Sequence, residues 1–260
     1  MAINVNTVYQ TVLLLLNKEQ RGYMTPQEFN SVATQVQLEI FEKYFEDLNQ
    51  MLRVPQVDVD YADRIASIDE KIAVFKTFGA AIYDNNTTPT TPYFTLPTLD
   101  GYGQTVTFYK LGDIAYTPAA GLPVELQRLQ RNTFYNIEKS NLTRSSLSFP
   151  TYLYENNKLF VNPKTIVSGL EINYLRKPKD VIWGFNVGTL NQYLYNPAQF
   201  NDLTGNSYQP TGSQQFELME SEQTSVILKI LIYAGLIIKD PTVIQVAAGQ
   251  VQKQEINKKS

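Results

Sequence analysis

The sequence predicts an α+β fold: a helical bundle formed by the N- and C-terminal helices, with a small antiparallel β domain inserted between them. Three observations predict it. Residues 1–80 place apolar side chains at helical spacing, residues 105–175 carry strand-like runs separated by turn residues, and helical spacing returns after residue 216. With 260 residues, 43% of them hydrophobic and 18% charged, the chain is long enough to bury a core and too apolar to stay unfolded. The expected organisation is N-terminal helices over 1–82, a β-rich insertion over 83–186, a polar loop rich in Tyr and Asn over 187–215, and C-terminal helices with a tail over 216–260.

The first helix is expected over residues 4–21. Val5, Val8, Val12, Leu15 and Leu16 follow helical spacing, Tyr9 and Leu13 widen the stripe, and Gly22 suits the left-handed residue that closes a helix. The sharpest local signal follows in "MTPQEF". Thr25 is placed as an N-cap, Pro26 as the first helical residue and Glu28 as the far end of a capping box. Met24 and Phe29 stand at the two positions of a hydrophobic staple. The second helix is expected to reach Arg53. Its apolar residues, from Phe29 and Val32 through Phe41 and Phe45 to Leu52, cover two sides, so neighbours are expected on both. A third helix over 60–79 would bury Tyr61, Ile65, Ile68, Ile72 and Phe75.

Residues 83–104 are too rich in Thr, Pro, Asn and Gly for a helix. Strands are expected at 105–111 and 133–138, with a short helix over 122–131 between them. "PTYLYENNKLFVNP" (150–163) reads as a hairpin turning at Asn156 and Asn157, and residues 170–175 alternate as a strand. Residues 187–215 read as a long loop. Ser221 is placed to cap an almost wholly apolar helix that Gly235 would end, and a last helix begins after Asp240 and Pro241.

Composition narrows the chemistry. The chain has no cysteine and no histidine, which excludes disulfides, thiolate chemistry, Ser-His-Asp triads and His-containing zinc sites. A net charge of −3 argues against a broad nucleic-acid footprint. No phosphate-binding glycine loop is present. "DVDYAD" (58–63) lacks the central glycine and distal glutamate of a calcium loop, so Asp58, Asp60 and Asp63 read as helix-start acids. No enzyme activity and no cofactor are expected. The N-terminal apolar run has no basic leader, so a secretory signal is not expected, and no apolar run approaches the roughly 20 residues that span a bilayer.

Three groups remain as interface candidates. Lys18, Glu19 and Arg21, with Thr25, Glu28 and Phe29, form the helix corner. Arg176, Lys177 and Lys179 form the one tight basic group in the expected folded part; the bland reading is a charged strand exit. Trp183, the only tryptophan, is expected to anchor its loop to the core. The 17 Tyr and 13 Phe residues are concentrated in the β region and the long loop, a composition suited to packing against other chains.

Several segments together resemble a known family. "NKEQRGYMTPQEFN" with "QVQLEIFEKYFEDLNQ", then "LPVELQRL", "FPTYLYENNKLFVNP", "INYLRKPKDVIWGF" and "FELMESEQTSVILKILIYAGLIIKDP", resemble in order virion structural proteins of crAss-like and related tailed phages. The resemblance implies a head-to-tail connector: an adaptor or ring subunit, usually twelvefold, that stacks beneath the portal around the DNA channel. It implies partners in further copies of the chain, the portal and other neck or tail rings, with genomic DNA passing through unread. It implies a place in the virion, with assembly in the host cytoplasm. It also implies that the C-terminal segment docks on a neighbouring ring, through residues such as Gln250, Gln252, Lys253 and Ile256. The 187–215 stretch is longer than the linker the family pattern calls for. The alternative on the same scaffold is a tail-tube or tail-tip component, or a protein that binds the host surface.

Overall fold

A computed structural model of the chain describes residues 2–18, 24–53, 60–85, 91–119, 121–199, 212–238 and 245–253. The fold is mixed α+β and divides into two compact units. One is built from both chain ends, Met1–Val74 with Pro178–Ser260, and the other from Phe75–Lys177. No helix among the described residues is long and apolar enough to cross a membrane.

In the first unit, α1 (Val5–Lys18) starts where the Asn4 carboxamide accepts from the backbone N–H groups of Asn6 and Thr7. It buries Val5, Val8, Tyr9, Val12 and Leu16, whereas Leu15, placed on the same stripe by spacing, is exposed. α2 (Pro26–Arg53) begins at the expected capping box. The Thr25 N–H donates to Glu28 Oε2 at 2.8 Å, and the Glu28 N–H donates to Thr25 Oγ1 at 3.3 Å. The staple residues Met24 and Phe29 are both buried, and the Tyr9 hydroxyl donates to the Met24 carbonyl while its ring meets Phe29 edge-on. α2 packs against α3 (Asp60–Ala73) and α5 (Gln223–Ile238), and α5 also meets α1. The two apolar sides of α2 therefore find neighbours inside the unit.

The second unit holds two sheets. One is antiparallel, in the order β1 (Lys76–Ala80), β9 (Leu170–Arg176), β4 (Phe108–Tyr116), β5 (Val124–Glu125). The other runs β2 (Ile82–Asp84), β3 (Tyr93–Thr95), β8 (Lys158–Asn162), β7 (Thr151–Glu155), β6 (Gln127–Arg128), with only β6 and β7 parallel. Residues of both sheets meet in one core, where Ile114, Leu170 and Ile172 of the first lie with Phe94, Leu159 and Val161 of the second. β9 alternates as its sequence predicts, burying Leu170, Ile172 and Tyr174 and exposing Glu171 and Asn173. The β7–β8 hairpin turns at Asn156 (φ 51°) and Asn157 (φ 57°), the left-handed pair that such a turn needs. β4 is irregular between Leu111 and Ile114. There Gly112 lies so close to β9 that a Cβ would meet the Asn173 carbonyl oxygen at 2.8 Å.

Several expectations are corrected. The third helix stops at Ala73, and residues 76–80 join β9 as a strand, because Thr77, Phe78 and Gly79 gain a backbone ladder there. The helix expected over 122–131 is two very short strands, and the strand expected over 133–138 is the helix α4 (Arg131–Ile137). Long-range pairing decides the first case: the Leu126 N–H donates to Ile114 O, and the Gln127 N–H to Pro150 O. In the second, Phe134 is buried and Ile137 and Glu138, three and four residues on, are half-buried, while residues 131–133, 135 and 136 are exposed, which is a helical pattern. The strand expected at 105–111 lies further on, over β4. Residues 187–215 are not all loop: β10 (Phe185–Val187) pairs with β11 (Tyr193–Tyr195). Ser221 sits within a 3₁₀ turn, Glu220–Glu222, and α5 passes through Gly235, whose cost of about 1 kcal/mol is outweighed by packing on both sides.

Candidate interaction surfaces

α2 presents a polar stripe at Asn30, Thr34 and Gln37, spaced four and three residues apart and therefore on one face. An extended strap of chain, residues 179–183, lies along it. The Trp183 N–H donates to Asn30 Oδ1 (2.8 Å), the Val181 N–H to Thr34 Oγ1 (3.0 Å), and Gln37 Nε2 donates to the Lys179 carbonyl (2.7 Å). Gln37 Oε1 also accepts the Glu217 N–H at 2.8 Å, so this side chain, 1% exposed, has both ends of its amide engaged. The alternate residue of the strap pairs the other way, Ile182 bridging Gln214 through both backbone groups. Gly184 completes the strap because a Cβ there would meet the Gly212 carbonyl at 2.2 Å.

Trp183 ends the strap and is buried, as its sequence context predicts. Its indole N–H donates to Asn6 Oδ1 at 3.1 Å, and its ring contacts Tyr9 on α1. From there it meets Phe185 and Tyr195, one from each strand of the β10–β11 hairpin. A run of aromatic contacts thus ties the hairpin to α1 and α2 through one tryptophan. The hairpin's remaining apolar side chains face solvent: Val187 is 50% exposed, Leu190 85% and Leu194 51%. No charged residue occurs between Val181 and Asn201.

The basic group divides. Arg176, the last residue of β9, lies over the Phe75 ring, and the Lys177 N–H donates to Thr107 O. Lys179 has its backbone fixed by Gln37 and by the Glu217 carboxylate, which accepts its N–H at 2.9 Å. These contacts make the group a tethered strand exit. At the corner, Thr25, Glu28 and Phe29 are used by the α2 start itself. Lys18 closes α1, while Glu19, Arg21 and Gly22 lie outside the described residues, as do Asp58 and Ile256. Gln250, Gln252 and Lys253 are exposed on a helix over 245–253.

Two charged clusters brace the helices. Lys71 of α3 pairs with Glu222 at 2.6 Å, beside the Tyr44 ring. The buried Tyr44 hydroxyl has no partner; burial first, then the charges of Glu222 and Asp47, push its pKa well above the usual tyrosine range. On the other cluster, Glu39 accepts from Lys229 Nζ at 3.1 Å and from the Tyr233 hydroxyl, and that bond, with burial and the same charge, pushes the Tyr233 pKa up to about 12. Glu39 opens onto a shallow groove that Glu42, Glu46 and Asp47 also line. Among the described residues, no group of three or more acidic side chains is placed to hold a metal ion.

Sequence reasoning missed the Asn30–Thr34–Gln37 stripe and its partner Glu217. The signal was present as polar residues at helical spacing, interleaved with the apolar ones that set the core. No protein-family model matches the chain, and no curated protein matches it.

Proposed function

We propose that the chain is a structural subunit whose work resides in its interfaces. The observation that carries this reading is the β10–β11 hairpin. Its aromatic face is fixed to α1 and α2 through Trp183, while Leu194 on the opposite face, Leu190 at the tip and Val187 at the far end of the aromatic face are exposed to solvent. A rigidly mounted hairpin with leucines at its tip and outer side is costly in water and is suited to insertion against another protein.

Within that class, the residues that resemble crAss-like phage neck proteins favour a head-to-tail connector: an adaptor ring beneath the portal, in contact with further copies of itself and with neighbouring rings. The strap along α2 supports the reading, because it holds the hairpin base without a covalent staple in a chain that lacks cysteine. The exposed Gln250, Gln252 and Lys253 are available for docking on a neighbouring ring. DNA would pass through such a ring without sequence-specific contact, and the weakly acidic chain suits that passage.

The test is assembly. Light scattering of the purified chain, alone and with portal rings, is expected to show a ring-sized species or a stoichiometric complex. Leu190→Asp with Leu194→Asp should abolish it while the circular dichroism spectrum stays unchanged. A chain that stays monomeric with and without portal, and is missing from the particle neck, would sink the proposal.

A further inference from the structure

The second unit carries an exposed surface that the reading above does not use. Residues 126–150 hold four cations, Arg128, Arg131, Lys139 and Arg144, against the single carboxylate Glu138, on a chain whose net charge is −3. Beside them, Leu142 is 97% exposed and Phe149 79%. This segment is no loose loop. The Ser145 N–H donates to Glu138 Oε1, Thr143 Oγ1 donates to Ile137 O, and Ser145 Oγ lies 2.7 Å from Thr151 Oγ1. The apolar tips are thus held out by a prearranged frame. Arg131 meets Glu155 at 3.1 Å and Arg144 meets Glu138 at 3.8 Å, yet both guanidinium side chains stay more than half exposed, so these pairs neutralise little.

The opposite charge pattern lies on the first unit. Residues 39–50 of α2 hold Glu39, Glu42, Glu46 and Asp47 against the single cation Lys43; all four carboxylates line one open groove with Lys43 and with Lys229, which pairs with Glu39 and leaves the groove with an excess of acidic charge. Glu42 and Glu46 are exposed. One surface is built on α4 and the turns after it and the other on the long helix α2, and each carries an excess of the sign that the other is short of.

We infer that the basic, leucine- and phenylalanine-tipped surface of residues 128–149 on one copy docks against the acidic α2 face of a second copy. Two different surfaces of the same chain then meet, which is a heterologous contact, and repetition of such a contact closes into a ring when its rotation permits. The charges steer and register the contact, while Leu142 and Phe149 supply apolar area to it. This inference rests on the ring-subunit reading and names its lateral interface.

Charge reversal in two separate chains tests it. One chain carries Glu42→Lys with Glu46→Lys, the other Arg131→Glu with Arg144→Glu; all four positions are exposed, and unchanged circular dichroism spectra and thermal melts confirm folding. Each variant alone should lose self-association in sedimentation velocity at low salt, with the apparent Kd rising about tenfold or more. Mixed one to one, the two should recover it, because every contact in an alternating assembly is again between opposite charges. Self-association that survives both reversals, or no recovery on mixing, overturns this interface and leaves the ring reading standing. A wild-type chain that never self-associates, alone or on portal, overturns both.

Discussion

Replacing Gln37 by leucine tests the strap most sharply. The substitution keeps the volume and removes one donor and one acceptor, so the Lys179 carbonyl and the Glu217 N–H lose the bonds to Gln37 that they make at 2.7 and 2.8 Å. A buried backbone group left without a partner costs about 1–3 kcal/mol. Lys179 and Glu217 are only half-buried, so the lower part of that range applies to each, giving a loss of about 2–3 kcal/mol. For a chain of this size that corresponds to a Tm lower by roughly 5–10 °C. The assay is urea denaturation followed by tryptophan fluorescence, because Trp183 is the only tryptophan and ends the strap itself. Gln35→Leu, two residues away and exposed, serves as the control and should change stability by less than about 0.5 kcal/mol. Equal midpoints for the two variants would refute the role assigned to the polar stripe.

Three further outcomes follow from the same geometry. Thr25→Ala removes the N-cap and should destabilise the first unit by about 1 kcal/mol, with Thr25→Ser restoring most of it in thermal melts. Tyr44→Phe removes a buried hydroxyl without a partner and should stabilise by about 1 kcal/mol. The raised Tyr44 pKa means the folded state keeps a proton that the unfolded state loses near pH 10, so stability falls as pH rises above about 10. Tyr44→Phe should shrink that alkaline loss; an unchanged slope between pH 9 and 11 would contradict the assignment. Lys71→Met leaves the buried Glu222 without its cation and should cost about 3 kcal/mol in urea titrations, far more than removing the exposed Arg131–Glu155 pair.

What was legible in the sequence was local. The Thr25–Pro26–Glu28 start, the Asn156–Asn157 turn and the alternation of β9 each depend on residues within one element, and all three stand in the structure. Trp183 was legible as an anchor because a lone tryptophan beside Gly184 and Phe185 has few other uses. Residues 122–131 were misread because the state of the stretch through Leu129 is set by distant partners, Ile114, Pro150 and Tyr152, which no local spacing reveals. Gly235 was misread because the packing that surrounds α5 outweighs a glycine's usual tendency to end a helix. The two-sided apolar character of α2 was legible, but not that α3 and α5 would occupy it. The exposure of Leu142 and Phe149 was equally hidden, since side chains of this kind are core by default and only the fold shows them outside.

The neck-subunit reading of this chain remains a proposal that its place in the particle decides. Cryo-EM of intact particles containing the chain tests it most directly. If the chain is a neck subunit, the particles should show ring density beneath the portal into which each unit fits, with the β10–β11 hairpin buried against a neighbouring protein. Density for the chain only at the tail tip or on the host-facing surface, or none in the particle, would contradict it.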